Sequence, residues 1–122
     1  MKNLRNKLLG QIGEEIAAKY LKSQGLRIIE RNFRKRYSEL DIVATGDSTL
    51  VFVEVKTRIG SKFGLPEEAI TPWKLKSLVR SAQYYNLLHP PKSGSMRIDV
   101  ISIILTVNHE IERLKWIKNI TG

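Results

Sequence analysis

A chain of 122 residues with 42% hydrophobic and 27% charged residues suits one domain with a modest core, so a single unit over residues 1–122 is expected. Zero cysteines exclude a disulfide framework and thiol catalysis, and no apolar run is long enough for a membrane span. The 21 Lys and Arg against 12 Asp and Glu leave a net charge of +9 and a pI near 10.0, which favours polyanionic partners, nucleic acid first and anionic membrane a distant second.

The opening residues, Met1 to Arg5, are not followed by the apolar segment of a secretory signal, which makes the cytoplasm the default location. Leu8, Leu9, Ile12, Ile16, Tyr20 and Leu21 recur at helical spacing and Gly25 supplies a stop. A first helix is therefore expected from about Leu4 to Gln24, with Glu14 and Glu15 near its middle. Leu26 to Arg36 reads as a strand crowded by Arg27, Arg31, Arg34, Lys35 and Arg36. Ser38 to Ala44 and Leu50 to Thr57 alternate as the strands of a hairpin around the turn signal Thr45-Gly46-Asp47-Ser48. Arg58 to Thr71, with Gly60, Gly64 and Pro66, reads as a loop. Thr71 as N-cap and Pro72 at the first helical position open a second helix, striped by Leu75, Leu78, Val79, Ala82 and Tyr85 and ending near His89, before Pro90-Pro91. Met96 to Val107 reads as a strand, Asn108-His109-Glu110 as a turn, and Ile111 to Ile120 as a last strand or an irregular tail. The order αβββαβ, with that segment appended, predicts an α/β fold in which a mixed β-sheet is flanked by helices.

The chemistry concentrates in the hairpin. Glu54 and Lys56 share one face of an apolar strand with Leu50 and Phe52, while Val51, Val53 and Val55 take the other, so the strand reads as central. In the neighbouring strand, Leu40 and Ile42 alternate with Glu39, Asp41 and Val43. If Asp47 and Ser48 form a two-residue loop, Gly46 pairs with Thr49, and the register carries outward to Asp41 opposite Glu54, with Cβ atoms about 4.5–5.5 Å apart. Like charges so paired destabilise a sheet and raise one carboxyl pKa unless a divalent cation intervenes. Oxygen ligands point to magnesium, with manganese as its substitute; zinc is disfavoured in a chain with no cysteine and two isolated histidines, His89 and His109. The Val55 carbonyl is a further candidate ligand.

Asp41, a spacer, then Glu54-Val55-Lys56 on consecutive strands resembles the PD-(D/E)xK nuclease superfamily. The wider pattern is similar to the small bacterial YraN-like family of uncharacterised proteins. Its matching pieces are Gly13-Glu14 with Ala17, Tyr20-Leu21 and Gly25, then Arg31-Asn32, Ser38 to Ala44, Phe52 to Arg58, Phe63-Gly64, Lys74, Ala82 and Arg97 to Val100. The resemblance implies a restriction-endonuclease-like αβββαβ core, grouped by fold and motif with archaeal Holliday-junction resolvases. It implies Asp41 and Glu54 as metal ligands, Lys56 as the residue that orients water or stabilises charge, and Glu14 as another active-site carboxylate. It also implies structured or branched DNA as substrate, and with it a symmetric homodimer. Ser38 departs from the family, which usually has glycine there, and puts the local backbone geometry in question.

Of the basic residues, Arg31, Arg34, Lys35 and Arg36 are expected to bind phosphate as a cluster separate from the carboxylates. Lys74 and Lys76, in the first turns of the second helix, either contact phosphate or face solvent. Glu39 either supports the site or lies exposed, and Arg97 with Asp99 reads as a structural ion pair. Trp73, Tyr84, Tyr85 and Trp116 read as core or interface before base-stacking, and His89 and His109 as a helix end and a turn. The function expected is that of a cytoplasmic, magnesium-dependent DNA endonuclease acting on DNA structure, with no membrane partner. The alternatives are a nucleic-acid-binding adaptor that kept a nuclease fold, and a basic RNA-binding protein.

Overall fold

A computed structural model describes residues 2–90 and 94–122, the side chains of residues 2 and 3 excepted. Helix α1 (Lys2–Ser23) is followed by strands β1 (Arg27–Lys35), β2 (Ser38–Gly46) and β3 (Thr49–Ile59), helix α2 (Pro72–Leu88), and strands β4 (Ser95–Leu105) and β5 (Ile111–Ile117). The expected order holds, and the C-terminal segment is a strand. All five strands form one sheet in the order β1-β2-β3-β4-β5, antiparallel throughout except for the parallel pair β3–β4, which α2 bridges. A short 3-10 turn, Pro66–Ala69, interrupts the expected loop. Thr71 caps α2 as expected, its Oγ1 accepting the Lys74 N–H at 3.1 Å, and His89 closes the helix. Pro91, expected just beyond it, lies outside the described residues. Among the described residues no helix is long and apolar enough to cross a membrane.

Each face of the sheet carries one helix. On the α1 side, Ala17, Ala18 and Leu21 pack with Ile42, Ala44, Val51, Val53 and Ile101. Leu8, expected in the buried stripe, is exposed, whereas Leu9, Ile12, Ile16 and Tyr20 pack partly buried against this cluster and Leu21 is fully buried. The tightest point is Gly13, where an added Cβ would lie 2.9 Å from Thr57 Cβ and closer still to its hydroxyl. On the α2 side, Leu78, Ala82 and Tyr85 pack with Phe33, Leu40, Val43, Leu50 and Phe52. The Tyr85 ring meets Phe33 and Phe52 edge-on at 5.0 and 5.6 Å, contacts worth about 0.5–1.5 kcal/mol each beyond the area they bury.

The alternation expected in β3 is observed, with Val51, Val53 and Val55 toward α1 and Leu50 and Phe52 toward α2. In β2 it fails at one residue. Leu40 and Val43 face α2 while Ile42 faces α1, so Leu40 and Ile42 do not share a face and the strand changes face at Asp41. The cause lies beside it in β1, where Asn32, between the pairs Arg31↔Ile42 and Phe33↔Leu40, has φ +54. Asparagine tolerates this left-handed conformation, and the kink turns the facing segment of the sheet.

Two acids, one buried and one half-buried, hold the far side together. Asp99, fully buried, accepts hydrogen bonds from Arg97 Nε (3.1 Å), Trp116 Nε1 (2.9 Å) and the Asn119 N–H (2.8 Å), which makes Arg97–Asp99 the structural ion pair expected. Glu67 accepts two bonds from Arg113 (2.7 and 3.0 Å) and one from Ser102, tying the 3-10 turn to β4 and β5. Arg113 above all holds the Glu67 carboxyl down to about 2. The connection that leads into α2 is thereby fixed.

Candidate functional site

The β2–β3 register runs as expected from Gly46↔Thr49 to Ile42↔Val53, around a loop whose Asp47 and Ser48 have φ +50 and +62, as a type I′ turn requires. The ladder does not extend to Asp41 and Glu54. At the face change in β2 the Asp41 carboxylate takes over the role of a backbone acceptor, and its Oδ2 receives the Val55 N–H at 2.9 Å. The two acids still meet, carboxyl to carboxyl, beyond the last ladder pair. Of Val55, the N–H engages Asp41 and the side chain enters the α1 core.

Glu54 is 5% exposed, which excludes a solvated hairpin lacing. Lys74, in the first turn of α2, brings its Nζ to 3.1 Å from Glu54 Oε2. That is an ion pair, and the Lys74 charge and hydrogen bonding both lower the Glu54 carboxyl, although no donor meets the buried Oε2 at a full hydrogen-bond angle. Lys56 lies two residues along the same strand, partly buried, and its charge acts on Glu54. From α1, Glu14 comes within electrostatic range of both acids, which Gly13 makes possible by seating the helix against Thr57.

Two carboxyls in contact, with a third in electrostatic range, resist ionising together. Asp41 is pushed up to about 8, by burial first and then by its hydrogen bond to Glu54 and that residue's charge; Glu14 adds to the rise and the Val55 N–H opposes it. Burial also works to raise Glu54, but the Asp41 hydrogen bond, Lys74 and Lys56 outweigh it, and its carboxyl is lowered. The pair therefore holds one proton near neutrality, with Asp41 donating to Glu54. Glu14 is raised by burial against the pull of Arg34, Asn32 and Arg31. Among the described residues no three His, Cys, Asp or Glu side chains converge as a ready metal cage.

The basic segment departs from expectation. Arg31 and Arg34 are not separate from the acids: both act on Glu14, and Arg31 Nη1 lies 2.8 Å from Glu15 Oε2. Arg34 donates to Asn32 Oδ1 at 3.1 Å and lies 3.7 Å from the exposed Glu39. The antiparallel pairing causes this, since it lays β1 directly against the strand that carries Asp41. Lys35 and Arg36 stay exposed at the β1–β2 tip. Ser38 sits outside the left-handed region, so the backbone there needs no glycine. Asn32, which bonds Glu14 and shapes the face change, is a site residue that the sequence offered only as part of the family pattern, with no role. An asparagine ending an otherwise strand-like Arg-Ile-Ile-Glu-Arg run was its available signal.

Residues 13–103 match the model of a family described as "Uncharacterised protein family UPF0102". A UPF0102 protein of Syntrophomonas wolfei is 46% identical over 111 residues, covering 87% of this chain and 96% of its own length. A UPF0102 protein of Caldicellulosiruptor saccharolyticus is 44% identical, covering 91% and 94%. One of Persephonella marina is 42% identical, covering 87% and 89%.

Proposed function

The chain belongs to uncharacterised protein family UPF0102, and from that membership and its buried acid pair we propose that it is a magnesium-dependent DNA endonuclease that hydrolyses phosphodiester bonds in structured or branched DNA. The observation that carries the reading is a buried carboxylate oxygen, Glu54 Oε2, with no aligned hydrogen-bond donor, beside a second carboxyl that keeps its proton up to about 8. Such a pair costs the fold energy in its metal-free form, and a divalent cation taking the place of the Lys74 ammonium supplies the charge that lets both acids ionise. The donor set, two carboxylates and no thiol or imidazole, suits magnesium, which keeps several waters and needs no closed cage.

In this reading Asp41 and Glu54 hold the cation, with the Val55 carbonyl as a further ligand. When bound, a magnesium or manganese ion supplies Lewis acidity at the phosphate and acidifies the attacking water. Lys56 orients that water or stabilises the charge that develops at phosphorus. Glu14, raised by burial, takes up or returns a proton at the rim of the pair. Lys74 leaves Glu54 for a substrate phosphate, while Arg31, Arg34, Lys35 and Arg36 bind the backbone beside the cut.

One observation favours a second reading, that of a nucleic-acid-binding adaptor without hydrolysis. The Lys74 ammonium, 3.1 Å from Glu54 Oε2, already supplies a positive charge where a metal would sit. Cleavage separates the two. Purified wild type is incubated with duplex, single-stranded, flap and four-way DNA in Mg²⁺ or Mn²⁺, beside Glu54→Ala and Lys56→Ala. Each variant is expected to lose roughly 10²–10³ in rate while retaining most DNA binding. No cleavage of any substrate by wild type, or cleavage that persists undiminished in Glu54→Ala, would overturn the enzyme in favour of the adaptor.

A further inference from the structure

The chain has nine aromatic residues by its count of 2 Trp, 4 Tyr and 3 Phe. Six are buried or partly buried, but Tyr37 stands fully in solvent, and Phe63 and Trp73 are 87% and 77% exposed. The topology gathers these three at one end of the sheet. Tyr37 is in the β1–β2 connection, Phe63 in the connection that leaves β3, and Trp73 in the first turn of α2, which starts from that connection. The acid pair is tied to the same end, since Asp41 lies three residues from the start of β2 and Trp73 immediately precedes the lysine that reaches Glu54.

The rings stand on fixed backbone. Arg58 Nη1 donates to the carbonyls of Phe63 (2.9 Å) and Gly64 (3.3 Å), Trp73 follows a capped and proline-started helix turn, and Tyr37 sits in a two-residue hairpin loop. Each ring also has a cation beside it in sequence: Arg36, Lys62 and Lys74. Lys62 Nζ lies 5.7 Å over the Phe63 ring. Exposed rings on ordered connections, alternating with cations, do not form the contiguous apolar patch of a protein interface. They match the demands of a nucleic-acid strand whose bases are not stacked in a helix: a flat face for each base and a positive charge for each phosphate. Regular duplex offers no such faces, because its bases cover one another.

Resting on the proposed function, we infer that Tyr37, Phe63 and Trp73 form a base-stacking rim that selects DNA carrying unpaired nucleotides next to the scissile phosphate. The rim defines the substrate class as single-stranded segments of flaps, junction arms or frayed ends, and it is distinct from the acid pair that would cut.

The test is equilibrium binding in chelator, so that no cleavage intervenes, with a fluorescein-labelled oligothymidylate and a blunt hairpin duplex as probes. Trp73→Leu, Phe63→Ala and Tyr37→Ala are each expected to weaken oligothymidylate binding about 5- to 150-fold, the factor for losing one base–aromatic stack, and duplex binding less than about twofold. Trp73→Phe, which keeps a ring, is expected to stay near wild type. Equal losses on both probes, no loss on either, or Trp73→Phe behaving as Trp73→Leu would overturn the stacking rim while leaving Glu54-dependent cleavage to its own assay. Tighter, rim-dependent binding of oligouridylate than of oligothymidylate would overturn the choice of DNA. A wild type that binds none of these probes would overturn both the rim and the proposed function.

Discussion

Replacing Asp41 by Asn in the metal-free protein changes stability with a sign and size that follow from the acid pair. In the unfolded chain Asp41 releases its proton near 3.8, whereas in the fold it holds it to about 8. Between those values the folded state binds the extra proton, so wild-type stability falls as pH rises through that window and levels off above it. Taken alone, four units at about 1.36 kcal/mol each give a fall of about 5–6 kcal/mol. The lowered Glu54 carboxyl acts with the opposite sign, but its stabilisation is already complete once pH exceeds its ordinary 4.5, so it is the same at pH 5 and at pH 8.5. Between pH 5 and 8.5 about three of those four units are crossed, a net decline of about 4 kcal/mol. In Asp41→Asn the side-chain oxygen can still accept the Val55 N–H and the amide can donate to Glu54 as the protonated acid does, without a proton to lose. Urea unfolding in chelator is the assay. Near pH 5 the two proteins should agree to about 1 kcal/mol, and near pH 8.5 the variant should be the more stable by that net amount. Excess Mg²⁺ should restore the wild type alone. A difference that does not vary with pH, or one in which wild type gains on the variant as pH rises, would refute the shared proton.

Gly13→Ala should destabilise by about 1–2 kcal/mol, overpacking against Thr57 outweighing the better helix propensity of alanine, and Thr57→Ala should recover part of the loss in a double-mutant cycle read by urea midpoints. Additive effects would show that the two do not meet. Charge reversal at Arg34, Lys35 and Arg36 together should weaken DNA binding across sequences and flatten the dependence of log affinity on log salt; an unchanged slope removes this face from the footprint. Asp99→Ala strands Arg97, Trp116 Nε1 and the Asn119 N–H in a buried position and should cost about 3–5 kcal/mol by thermal or urea unfolding, whereas a loss under about 1 kcal/mol would show that the C-terminal segment does not depend on it.

Periodicity was enough for the elements and for β3, because a central strand buried on both faces leaves one arrangement for Leu50 to Val55. It failed at Asp41, where strict alternation puts Leu40 with Ile42, because a single left-handed residue in the neighbouring strand turns the sheet, and a backbone angle at Asn32 leaves no trace in the hydrophobic pattern of β2. The meeting of Asp41 with Glu54 was readable from the length of the turn, but not the Val55 N–H that ends the ladder, which is a side chain substituting for a backbone group. Glu14 came through the resemblance alone; its approach depends on the missing Cβ of Gly13, a contact between elements far apart in sequence. Trp73 read as core or interface because aromatic residues on amphipathic elements usually are, and its exposure follows from its place on the first turn of α2, ahead of the buried positions Leu78, Ala82 and Tyr85.

Whether Asp41 and Glu54 form a divalent-ion site is measured most directly by titrating the protein with Mn²⁺ and following its paramagnetic signal, in wild type, Asp41→Asn and Glu54→Gln, near pH 8. The expected result is one Mn²⁺ site in wild type that Mg²⁺ displaces, that tightens as pH rises because the ion must expel the shared proton, and that each substitution weakens about tenfold or more. Mn²⁺ affinity that is the same in all three proteins, or absent in all three, would contradict the site.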